Sequence, residues 1–174
     1  MEPLVHAVIP LVFLLALFPA LKKRYIVGLV PIVWIIDLDT YIGTHRFTFH
    51  NIFFVLLLAC IVLFFWKELT AFWVALYYGL SHLLLDFALP GPAWFYPLID
   101  KTYYVTASVH RGATWIITTG IGSLTFEEYN ALQQGLGPTK YIGETSVLFL
   151  LLFGILLLVK YQKQIRASVF SRCP

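Results

Sequence analysis

Asp37, Asp39, His45, Arg46 and His50 follow one another within IIDLDTYIGTHRFTFHN, residues 35–51, and His82 and Asp86 close SHLLLD, residues 81–86. On a helix His82 and Asp86, four apart, share a face and direct both side chains at one centre. Imidazole nitrogen together with carboxylate oxygen is a ligand set for zinc or another first-row divalent ion. His6, near the start of the chain, offers a further nitrogen. The chemistry these residue types can do is therefore to hold one or two divalent cations.

Each residue also has a structural reading. His6 could be an interfacial histidine, and Asp37 or Asp39 a loop carboxylate or a helix cap. Asp37 and Asp39 flank Leu38, so both reach one centre only if a helix ends there. His82 and Asp86 could be a hydrogen-bonded pair that ties helices together. His45 and His50 in a loop say little singly. The metal reading draws its strength from the elements that position these residues, because those elements place all seven in one layer.

The chain has 174 residues, of which 60% are hydrophobic and 12% charged, with a mean hydropathy of +0.82. That is too apolar for an ordinary water-soluble domain and points to an integral membrane protein. Five apolar segments stand out, at residues 4–20, 25–36, 52–66, 71–89 and 146–161. They predict an all-α, polytopic helix bundle of five transmembrane spans forming a single domain over residues 1–174. Lys22, Lys23 and Arg24, then Lys67, then Lys160, Lys163, Arg166 and Arg172 follow the first, third and fifth segments. By the positive-inside rule the N-terminus is expected outside and the C-terminus in the cytoplasm, with the protein in the cell membrane and the His/Asp layer near its outer face. An aspartate such as Asp86 within a span is costly and needs a polar interior and a partner, which a bound cation supplies.

Residues 90–145 read as a long outer segment. LTFEEYNALQQGLG within it suggests a short amphipathic helix ended by glycine, and TYYVTASVHRGATWIITTG either a hairpin or a helix dipping into the membrane. His110, Arg111 and Glu144 read as solvated or interfacial residues, and Glu127 and Glu128 as the wet side of the amphipathic helix. The two cysteines, Cys60 and Cys173, make neither a disulfide framework nor a zinc knuckle. A start of MEPLVH, with its basic cluster after the apolar run, reads as a retained first segment in place of a secretory signal. The net charge of +3 sits in clusters beside apolar runs, which discounts nucleic acid as a partner.

His6, DLD at 37–39, HR at 45–46 with His50, HLLLD at 82–86 and PGPAWFYP at 90–97 together resemble the YdjM-type membrane-bound, metal-dependent hydrolases. The resemblance covers roughly the first hundred residues, with Phe47, Phe49 and Asn51 where glycine, threonine and serine would be typical. That family is in turn distantly similar to the zinc-dependent phospholipase C and single-strand nuclease superfamily. The resemblance implies His50, His82, Asp86 and Asp37 or Asp39 as ligands, with His6 reaching a second ion. The superfamily's HxxxE motif is missing, which implies one or two zinc ions in place of three. The expected activity is hydrolysis of a lipid phosphoester at the outer leaflet, with Asp37 or Asp39 as general base and Arg46 on the phosphate. The alternative is a non-enzymatic metal-binding or metal-transport membrane protein. Neither reading sets an oligomeric state.

Overall fold

The computed structural model describes residues 3–88, 90–111 and 115–135. Its elements run α1 (Pro3–Leu17), α2 (Lys23–Gly28), α3 (Pro31–Ile36), α4 (Asp39–Ile42), α5 (Ile52–Trp66), α6 (Leu69–Leu85), β1 (Lys101–Arg111), β2 (Trp115–Thr125) and α7 (Phe126–Gly135).

The helices pack around α6. Its buried residues, Ala71, Val74, Ala75, Tyr78, Gly79, His82 and Leu83, recur at steps of three and four, which is the inward stripe of a helix. His82 is in the interior because it continues that stripe. Small residues let α5 come close: a Cβ on Gly79 would lie 2.5 Å from Val55 Cγ1. On the other flank Tyr78 donates its hydroxyl proton to the Ile26 carbonyl at 2.6 Å. Tyr25, Ile26, Leu29, Ile32 and Val33 complete this core with Ala7 and Leu14 of α1.

Helices α2 to α4 are one apolar stretch, Lys23–Ile42, broken twice. Pro31, at the start of α3, has no N–H to give and restricts Val30 before it. The second break falls at Asp37, the C-cap of α3, and Leu38. This break turns Asp37 towards His82 of α6 and Asp39 towards the loop that carries His45 and His50. Asn51 then starts α5: its side chain accepts from Phe54 N at 2.9 Å and donates to the Thr48 carbonyl at 2.9 Å and the Phe47 carbonyl at 3.2 Å.

The residues after α6 form an antiparallel hairpin whose register runs from Lys101 opposite Thr125 to Arg111 opposite Trp115. Thr125 caps α7. Its amide donates to Glu128 Oε2 at 2.8 Å and its Oγ1 accepts from Glu128 N at 3.4 Å, a reciprocal capping box. Phe47 is buried among Ala93, Tyr96, Leu124, Phe126 and Tyr129. This aromatic contact fastens the hairpin and α7 to the loop that carries His45 and Arg46.

The expected all-α bundle of five membrane spans, threaded with its N-terminus outside, does not hold. The fold is mixed α/β, and among the described residues only Lys23–Ile42 is long and apolar enough to cross a membrane. The other apolar helices have 15, 15 and 17 residues. At about 1.5 Å per residue the first two reach only about 22 Å, short of a hydrocarbon core of about 30 Å. The first ends at Leu17, not residue 20, and the fourth at Leu85, not residue 89. There the chain leaves the helix, and Ala88 pairs with Val105 of β1. Residues 101–111 and 115–125 are rich in threonine, valine, isoleucine, tyrosine and tryptophan, types that favour strands. The fifth segment, 146–161, lies outside the described residues, as do Glu144 and the basic residues from Lys160 onward.

Candidate metal centre

The start of α1, the α3–α4 junction, the loop before α5 and the end of α6 meet in one buried polar cluster. His6, Asp39, Arg46, His50, His82 and Asp86 are all buried. Asp37 keeps 19% of its side chain exposed and His45 29%, so these two mark the open side.

Four atoms face one another at the centre. His50 Nε2 and His82 Nε2 are 3.0 Å apart. Asp37 Oδ1 is 3.5 Å from the first and 3.4 Å from the second. Asp86 Oδ2 is 3.2 Å and 3.4 Å from the same two nitrogens. Ligands at about 2.0–2.1 Å from a tetrahedral ion lie about 3.3 Å from each other. The five separations bracket that value, and the sets whose ligand atoms converge closely enough to hold an ion are His6, Asp37, His82 and Asp86, and Asp37, His45 and His50.

Hydrogen bonds behind the cluster orient it. Asp39 Oδ2 accepts from His50 Nδ1 at 2.7 Å, from Arg46 N at 3.0 Å and from Phe49 N at 3.4 Å, while its Oδ1 lies 2.8 Å from His45 Nδ1. When His50 is neutral, as a metal ligand must be, the bond from Nδ1 to Asp39 would keep its proton on the far nitrogen and leave the Nε2 lone pair facing the centre. A carboxylate that holds a ligating histidine in this way is the usual support of a metal site. Arg46, at a left-handed φ of 66°, turns inward. Its Nη2 donates to Asp86 Oδ1 at 3.0 Å and its Nη1 to the carbonyls of Ala88 at 3.3 Å and Asp86 at 3.4 Å. One oxygen of Asp86 is thereby committed to Arg46 and the other to the centre.

The charge balance would favour a cation there. Asp37, Asp39 and Asp86 bring three negative charges and Arg46 one positive charge, so with neutral imidazoles two negative charges remain, which one divalent ion balances. Burial disfavours a charged His50, yet its bonds to Asp37, Asp39 and Asp86 outweigh burial and hold its pKa well above the ordinary imidazole value. Both His6 nitrogens, His82 Nδ1 and Asp37 Oδ2 are buried without a hydrogen-bond partner. Orphaned polar atoms around an anionic centre are what a bound ion would satisfy.

The structure thus brings six of the seven residues expected to bind metal, all but Asp39, into two sets that could hold an ion and share Asp37. One is His6, Asp37, His82 and Asp86; the other is Asp37, His45 and His50. Asp39 stands behind His45 and His50, with both oxygens engaged by them and by backbone amides. His6 lies at the edge, with Nε2 3.5 Å from Asp86 Oδ1 and its ring 4.4 Å from that of His82. Glu127 is exposed, as expected. Sequence reasoning passed over Asn51, whose clamp on Phe47 and Thr48 shapes the loop; an asparagine directly before an apolar run is a recognisable helix-start signal. Thr40, whose Oγ1 is 3.2 Å from His45 Nδ1, left no such signal.

The fold and site define a mixed α/β protein with a buried His/Asp cluster that could hold a metal ion. No protein-family model, curated protein or solved structure matches the chain.

Proposed function

We propose that the protein is a lipid-embedded, metal-dependent hydrolase that cleaves a phosphoester of a lipid. The observation that carries this reading is the buried cluster in which His6, Asp37, His82 and Asp86 form a set that could hold an ion, with Asp37, His45 and His50 a second, and Asp39 holding the His45 and His50 rings from behind. Zinc suits two imidazoles and two carboxylates at this spacing. Bound there, it would polarise a phosphoryl oxygen and acidify a water.

The chain's own groups divide the remaining work. Asp37 is the most exposed carboxylate of the cluster, and it takes the proton from water. Asp39 and Arg46 act through others: Asp39 sets the His45 and His50 rings, and Arg46 fixes Asp86. The lipid environment is supported by the outer surface. Phe53, Leu57, Phe64 and Phe65 of α5, Phe13 and Leu17 of α1 and Trp73 of α6 are all exposed, an apolar exterior over a polar interior. Exposed Leu38, Tyr41 and Ile42 border the open side and suit the acyl part of an amphiphile.

One observation favours a second reading, a metal-binding protein without hydrolytic activity: four protein ligands close a tetrahedral ion, as in structural zinc sites. Turnover decides between them. Purified protein in mixed micelles is expected to release headgroup or phosphate from phospholipids or lipid phosphates, and Asp37→Asn to abolish release by at least about a hundredfold while still folding. Full metal content with no release from any lipid would favour the structural ion.

A further inference from the structure

The end of the helical packet away from the metal centre carries a second polar assembly that the site does not use. His6 opens α1, Asn51 precedes α5, and Asp86 closes α6, so the α1–α2 and α5–α6 turns lie at the far end, about 22 Å along α5. The two turns are tied there by Glu68. Its carboxylate accepts from Lys22 Nζ at 3.3 Å, Arg24 Nη2 at 2.5 Å and the buried Tyr25 hydroxyl. Lys67, at φ 51°, ends α5 beside it, and Lys23 is exposed on the same turn. Lys22, Arg24 and Lys67 outnumber Glu68 on this face, and Lys23 adds a further basic side chain.

Exposed aromatic and aliphatic side chains surround those charges. Phe18 and Leu17 precede the basic turn, Phe64, Phe65 and Trp66 precede Lys67, and Leu69 and Trp73 follow it. Trp66 packs edge-on against Tyr25, with ring centroids 6.1 Å apart. Tryptophan beside lysine and arginine, on an apolar surface, is the arrangement that sits at the headgroup level of a bilayer. Basic side chains so placed attract anionic lipid within a Debye length of the membrane surface.

We infer that this face binds the headgroups of anionic phospholipids. The inference rests on the lipid-embedded part of the proposed function and is independent of the hydrolysis. Glu68 braces Lys22 and Arg24 in a fixed array, and Lys23 and Lys67 widen it, so the face presents a preformed cationic surface at the depth where lipid phosphates lie.

The test is thermal unfolding, followed by tryptophan fluorescence, of the full chain reconstituted in vesicles of phosphatidylcholine alone or mixed with phosphatidylglycerol. Phosphatidylglycerol is expected to raise Tm by about 5 °C at low salt, and about 0.5 M sodium chloride to remove most of that rise. The combined Lys22→Gln, Lys23→Gln and Lys67→Gln variant should lose the rise, and Asp37→Asn should keep it, which separates this face from the metal centre. Inorganic phosphate should give no rise. Equal Tm in both vesicles, or a rise retained in the triple variant, would overturn the inference while leaving the lipid-embedded reading intact. An equal rise on adding an oligonucleotide to phosphatidylcholine vesicles would assign the face to a soluble polyanion and overturn it too. A protein that enters neither vesicle contradicts both.

Discussion

His50 is the residue at which proton and metal compete. Asp37, Asp39 and Asp86 surround its ring, with His45 and His82 beside it, so without metal a proton on His50 stands in for a cation. Its folded pKa is raised, so in chelator-stripped protein this contribution to stability is full below the unfolded imidazole value of about 6.5 and is lost as pH rises through the higher folded value. With metal bound the sign reverses, because the ion needs neutral imidazole and ionised carboxylate and is displaced as pH falls. Tm measured against pH should therefore slope downward above neutrality without metal and upward from acid to neutral pH with it. Two substitutions separate the supporting roles. Asp39→Asn is expected to weaken metal binding about 10- to 100-fold by chelator competition, because it removes the carboxylate that orients His50. Arg46→Met strands the buried Asp86 carboxylate and should cost about 3–5 kcal/mol in metal-free protein, read from denaturant unfolding. The pair His82 and Asp86 was legible in the sequence, because a four-residue step on a helix fixes a shared face. The different duties of Asp37 and Asp39 were not, since they depend on where the helix breaks at Leu38. Nor was the inward turn of Arg46, because its left-handed backbone and the carbonyls of Asp86 and Ala88 that receive it arise only in the folded loop.

At the scale of elements, α6 sets the centre by bringing His82 in on its buried stripe, and α5 must approach closely for His50 to meet it. The approach depends on Gly79 against Val55. Gly79→Val should destabilise the protein by about 1–3 kcal/mol through overpacking and weaken metal binding with it, and Val55→Ala in the same chain should restore part of both. Two independent losses that simply add would contradict this coupling. The helical segments were legible as apolar runs, since burial and exterior alike are apolar here. Their lengths were not. Residue 17 ends α1 and residue 85 ends α6 because the chain must turn to build the cluster and to meet β1, and hydropathy alone carries no sign of either turn. The hairpin was legible only as one of two options, because its strands alternate in polarity too weakly to exclude a helix. The aromatic lock of Phe47 on Tyr129 and Phe126 depends on contacts far apart in sequence.

For the molecule as a whole, the described residues pair an apolar core with a buried His/Asp cluster and an exterior on which many phenylalanine, leucine and tryptophan side chains are exposed. Reading five full spans into that composition treated every apolar run as a crossing helix, whereas short helices, a twice-broken helix and a hairpin account for the described residues. Among the described residues the His/Asp cluster carries a buried charge imbalance that a bound ion would resolve. Metal removal should consequently act on the whole fold: excess chelator is expected to lower Tm by about 5–10 °C, with recovery on adding one equivalent of zinc.

X-ray absorption at the metal edge, together with elemental analysis of the purified protein, tests the central claim most directly. The account predicts at least one divalent ion per chain, coordinated by nitrogen and oxygen at about 2.0–2.1 Å, and its loss in His82→Ala that still folds. Folded wild-type protein that binds no divalent ion, or His82→Ala that binds as tightly as wild type, would contradict it.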